Sequence, residues 1–188
     1  MTKPMTAVDT RVLPSPRMTL EQAREQLIFT TSHQRLDEIM EMLWDLGTAD
    51  WLTILGENWT SCDYIAPYRD KLRKWLGSEG PIMEMMTPTE QAAYAALPEI
   101  VTVYRGCGPS NLRGASWSLD RDVANEFPSF ARYRTDVPVV VTARVRKSHI
   151  LAVKLDREEA EVITFSARAI KTEPATPPAL PVTHHLDV

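Results

Sequence analysis

Three short stretches carry side chains that could do chemistry together. In Val103-Tyr104-Arg105-Gly106 an arginine ends a strand-like run, and glycines at 106 and 108 leave the neighbouring backbone unobstructed. A guanidinium so placed suits a phosphate or pyrophosphate, because its planar fork donates two charge-assisted hydrogen bonds and keeps its charge. In Gly114-Ala115-Ser116-Trp117-Ser118, strand alternation puts Ser116 and Ser118 on one face, towards a cleft, and Trp117 on the other, towards the core. In Asp156-Arg157-Glu158-Glu159-Ala160-Glu161-Val162-Ile163 a charged turn runs into an apolar strand, and Glu159 and Glu161 share a side if the extended geometry begins there. Singly, each has a plain reading: a surface arginine in a turn, serine capping chemistry, a solvated acidic turn.

Order and spacing bind the three. A strand-end arginine, a Ser-x-Ser strand, an Ala-x-x-Phe helix (Ala124 to Phe127) and a Glu-x-Glu entering a later strand follow one another between residues 100 and 165. This succession resembles the mono-ADP-ribosyltransferases of the arginine-serine-glutamate, or cholera-toxin-like, class, with Trp117 standing where many members have threonine. The resemblance implies a split β-sandwich of two small antiparallel sheets with an NAD cleft between them. It implies that Glu161 stabilises the oxocarbenium-like ribose, that Ser116 positions Glu161, and that Arg105 holds the phosphates. Glu159 would face the incoming nucleophile, and glutamate there goes with an arginine acceptor on a protein. Tyr104, Gly106, Ser118 and Phe127 complete the NAD-binding set, with Phe127 and Trp117 turned inward by their spacing. NAD would be a cosubstrate that is consumed, and no metal is required.

These residues need a scaffold, and the rest of the chain supplies one. The 188 residues are 44% hydrophobic and 24% charged, enough for one core. A net charge of -4 argues against a surface built for nucleic acid. The two cysteines, Cys62 and Cys107, lack partners at metal-ligand spacing. No stretch reads as a secretory signal or a membrane span, so a cytoplasmic protein, bacterial or host, is expected.

Residues 1–17 and 172–188 are proline-rich and read as disordered tails. Residues 18–97 read as helical. Thr19 with Gln22 and Thr87-Pro88-Thr89-Glu90 are capping boxes, Leu36, Ile39, Met40, Leu43 and Leu46 recur at helical spacing, and Gly77 ends an apolar face that includes Leu72, Trp75 and Leu76. Trp44, Trp51, Trp59 and Trp75 are expected to pack as an aromatic core. Residues 98–171 read as a β-rich catalytic core, interrupted by one helix that opens at Asp120 and turns Val123, Ala124, Phe127, Phe130 and Ala131 inward. The fold class is α+β.

Two other functions stay open: an NAD glycohydrolase, with water as acceptor, and a non-catalytic interaction protein on the same fold. Compact size and an added helical segment fit a bacterial or phage effector acting on a protein in the same cytosol.

Overall fold

The computed structural model describes residues 17–63, 65–77, 79–130, 133–156 and 160–176. Most of both proline-rich ends, together with Ala131 and Glu159, lies outside the described residues.

Helices α1 (Leu20–Leu27), α2 (Arg35–Glu41), α3 (Thr48–Asn58), α4 (Arg69–Leu76) and α5 (Pro88–Ala96) come first. Both capping boxes form: Thr19 with Gln22 opens α1, and Thr87 with Glu90 opens α5 behind Pro88. Gly77 ends α4 at φ 76°, a conformation that costs glycine nothing. The helix expected to continue to Leu46 stops at Glu41 and tightens into a 3-10 turn at Met42–Trp44. That change of pitch keeps Leu46 buried but leaves Trp44 81% exposed. The expected cluster of four tryptophans therefore reduces to Trp51 and Trp59 in the core, with Trp75 edge-on against Trp51 at 6.2 Å.

Strands β1 (Ile100–Cys107), β2 (Ser116–Ser118), β3 (Val139–Arg146), β4 (Ala152–Lys154), β5 (Glu161–Ile163) and β6 (Arg168–Pro174) form one sheet in the order β4-β5-β2-β1-β3-β6, every neighbour antiparallel. This corrects the expectation of two separate sheets. The joint is narrow, however: β2 has three residues, and only Tyr104 and Ser118 pair across it. β6 extends beyond residue 171 and runs along the outer edge, mostly exposed.

Between β2 and β3 lies α6 (Arg121–Glu126), packed on β1, β2 and β3. Asp120 Oδ1 accepts the amides of Asp122 and Val123, as an N-cap should. Pro128 sits in a 3-10 turn that follows at once, so the helical spacing fails after Glu126. Ala124 is buried and Val123 and Phe127 are half-buried, but Phe130, on extended backbone, is 44% exposed rather than inward. A single apolar cluster runs from Ala23 and Leu36 through Trp51 and Trp59 to Val103, Val141 and Ile163. The helices thus bury their apolar faces against the sheet, and the architecture is α+β.

Candidate active site

The narrow joint in the sheet is where the chemical residues meet. Glu161 opens β5 opposite Ser118, and Ser118 lies opposite Tyr104. Facing residues of an antiparallel ladder share a side, so Tyr104, Ser118 and Glu161 form one row across three strands. Ser116, two residues back, joins that side, while Trp117 is 4% exposed on the other and donates its indole N–H to the Gly114 carbonyl at 3.0 Å. The alternation expected for this strand is realised. Ser118 is already engaged, its Oγ accepting the Asp120 amide at 2.9 Å just ahead of α6.

Where the β1–β2 ladder stops, the Arg105 side chain takes over as the bridge. Its Nη1 donates to the Ser116 carbonyl at 2.6 Å and its Nε to the Asn111 carbonyl at 3.0 Å. Gly114 makes the room, since a Cβ there would stand 2.1 Å from the guanidinium carbon. Burial pushes the guanidinium below its ordinary value, opposed by the neighbouring Cys107 and by the Glu161 carboxylate. Arg105 thus shapes the strand that carries Ser116 as well as lining the cleft. Gly106 has its own requirement: a Cβ would lie 1.8 Å from the Ala124 carbonyl oxygen, so only glycine lets α6 approach β1 this closely.

From the helical half, Trp59 reaches into the site. It stands in the 3-10 turn Trp59–Ser61 that follows α3, and its one N–H lies 3.0 Å from both Ser116 Oγ and Glu161 Oε1.

Two adjoining hollows open here. The smaller is lined by Tyr104, Ser116, Ser118, Phe127 and Glu161, among others. The larger, about 580 Å³, shares Arg105, Gly106, Ser116 and Phe127 with it and adds Asp63, Arg69, Tyr133 and Arg134. That volume falls within the range of roughly 300–1,000 Å³ usual for small-molecule sites. Three arginines on one cavity favour an anionic ligand. Tyr133 stacks on Phe127 at 4.5 Å and donates its hydroxyl to Asp63 at 3.0 Å, tying the loop after α6 to the segment before α4.

The structure therefore brings together Arg105, Gly106, Ser116, Ser118, Tyr104, Phe127 and Glu161, while Glu159 lies outside the described residues. Sequence reasoning missed Trp59, Asp63, Arg69, Gly114 and Tyr133. Trp59 carried one usable signal, because a buried indole N–H needs an acceptor, but nothing in the sequence named Ser116 and Glu161 as that acceptor. Among the described residues, no three His, Cys, Asp or Glu side chains are grouped to hold a metal. No helix among them is long and apolar enough to cross a membrane. Comparison with protein-family models, with curated proteins and with solved structures returned no match.

Proposed function

We propose that this chain is a mono-ADP-ribosyltransferase that cleaves NAD and passes ADP-ribose to a protein acceptor. The observation that carries the reading is the convergence of Arg105, Ser116 and Glu161, from three different strands, on one cleft. The fold this implies is the NAD-cleft architecture of the arginine-serine-glutamate class, with its cleft at the single-pair joint between β1 and β2.

The chemistry follows from charge. The bond between nicotinamide and ribose breaks with its electron pair leaving on nicotinamide, which becomes neutral, while positive charge develops on the ribose. A fixed carboxylate beside that ribose stabilises the oxocarbenium-like state, and Glu161 places a carboxylate on the smaller hollow of the cleft. Arg69, Arg105 and Arg134 supply positive charge along the larger cavity for the pyrophosphate. A lone pair of the acceptor then forms the new bond to the ribose, and its proton passes to a carboxylate, the role the sequence motif gives Glu159. Arginine is the acceptor that this motif favours.

Incubation of the protein with labelled NAD and a bacterial lysate tests this, with free nicotinamide and label on macromolecules both followed. Nicotinamide release and a discrete labelled band are expected, both reduced roughly hundredfold or more by Glu161→Gln, the order of loss when one preorganised charge contact is removed from a transition state. Release without a labelled product would make water the acceptor. Silence in both channels would overturn the enzymatic reading.

A further inference from the structure

We propose that Trp59 is a positioning residue for Glu161, which makes the helical half part of the catalytic apparatus. The inference rests on the enzymatic reading above and adds to it a group that the sequence motif does not contain.

Glu161 and Ser116 are not ladder partners: Glu161 pairs with Ser118, and Ser116 pairs with Ile163. Their side chains are thus diagonal neighbours, and the indole N–H sits between them, 3.0 Å from each oxygen. The indole is 1% exposed, so water does not compete for this donor. Its position is fixed from both sides. α3 runs directly into the turn that carries it, and Cys62 N–H donates to the Trp59 carbonyl at 3.1 Å to close that turn. A second tie lies close by, where the Thr60 hydroxyl donates to Asp156, two residues beyond β4, at 3.3 Å.

A bulky two-torsion side chain locked in a core is a stiff mount for a donor. A donor to one carboxylate oxygen holds the plane of the carboxylate. A fixed orientation serves a group that must meet a developing positive charge. A tryptophan present only for packing would need any acceptor, such as the main-chain carbonyl of Ile39 that takes the Trp51 N–H at 2.7 Å. Trp59 instead spends its donor on the two side chains central to the proposed chemistry.

Trp59→Phe keeps most of the ring and removes the donor. Steady-state nicotinamide release by the full chain should show kcat reduced roughly tenfold or more, the effect of losing a hydrogen bond to a charged group, with KM for NAD within about twofold of wild type. Added to Glu161→Gln, the same substitution should lower kcat by less than about twofold, because the charge it positions is gone. An unchanged kcat in Trp59→Phe, or a loss carried entirely by KM, overturns the positioning role while leaving the enzymatic reading intact. A wild-type protein that releases no nicotinamide overturns the enzymatic reading and the catalytic role with it. The contact is then read separately: the Trp59 indole N–H resonance, assigned by its absence in Trp59→Phe, should move in Glu161→Gln, and an unmoved resonance would refute the hydrogen bond.

Discussion

Among the polar contacts between the helical half and the sheet, two seams are built to opposite ends. At the first, Lys154 of β4 meets Glu90 of α5 at 2.9 Å, each side chain 3% exposed. Lys154 also donates to the Met85 carbonyl at 3.2 Å, while Glu90 accepts the amides of Thr87 at 2.8 Å and Leu155 at 3.1 Å. The pair is enclosed, and its bonds are all internal. At the second, Trp59 meets Ser116 and Glu161, and these two acceptors border an open cavity. Both seams satisfy buried donors, but only the second turns its groups towards space that a ligand could fill. A buried polar contact is structural when it is closed on itself and a candidate for chemistry when it borders a cleft.

The sharpest way to break this contrast is to break the closed seam. Lys154→Met leaves the Glu90 carboxylate buried without its cation, and uncompensated burial of this kind costs about 3–5 kcal/mol. Urea unfolding should show that loss, and adding Glu90→Gln should restore part of it. A loss under about 1 kcal/mol would mean that the seam is not closed. The pH dependence has a definite sign. Burial pushes the Glu90 carboxyl up, but its bonds to Lys154 and to the amides of Thr87 and Leu155 win and hold it below its ordinary value. Its contribution is therefore complete above the ordinary glutamate value of about 4.3 and is lost as pH falls through the depressed one. Wild type should lose more stability between pH 5 and pH 3 than Lys154→Met does, since the variant has already lost the cation.

Two glycines sharpen the contrast at the open seam. A Cβ on Gly106 meets the main chain of α6, whereas one on Gly114 meets the end of the Arg105 side chain. Backbone cannot step aside and a side chain can, so Gly106→Ala should cost about 1–3 kcal/mol by overpacking and Gly114→Ala less. Activity should separate from stability in Gly114→Ala. Displacing Arg105 loosens its hold on the Ser116 carbonyl, and nicotinamide release should fall roughly tenfold while the fold survives. Equal stability losses in the two variants, or an active Gly114→Ala, would show that Arg105 does not shape the strand it touches.

What the sequence disclosed was local. Thr19, Thr87 and Asp120 announce helix starts because a cap is settled within four residues. Ser116-Trp117-Ser118 discloses its two faces because a strand alternates wherever it lies. The failures were of three physical kinds. Phe130 is misplaced by extending a helical period past a point where the chain changes pitch, and Trp44 by grouping it with the other tryptophans on composition alone. β6 is a charged edge strand with a terminal proline, a composition that guards against aggregation and hides the strand signal. The joining of the strands into one sheet, and the reach of Trp59 across to Glu161, depend on contacts remote in sequence, which no local pattern encodes.

The smallest expected effect concerns Cys62, which lines the larger cavity and so invites reading as a nucleophile. Nucleophilic cysteines need thiolate, and they obtain it from nearby positive charge and partial exposure. Cys62 is 6% exposed, and burial pushes its thiol up to about 12 despite the opposing charge of Arg35. A group raised in this way favours the fold least at high pH: its penalty is absent below the ordinary thiol value of about 8.5 and grows as pH rises towards the raised one. At pH 8 the native protein should react with a thiol reagent far more slowly at Cys62 than the urea-unfolded chain does. Cys62→Ala should cost only about 1 kcal/mol, as a small core truncation, with nicotinamide release within about twofold of wild type and a shallower loss of stability above pH 9. Rapid modification of native Cys62, or an inactive Cys62→Ala, would move the chemistry of the cleft away from Glu161 and onto sulfur.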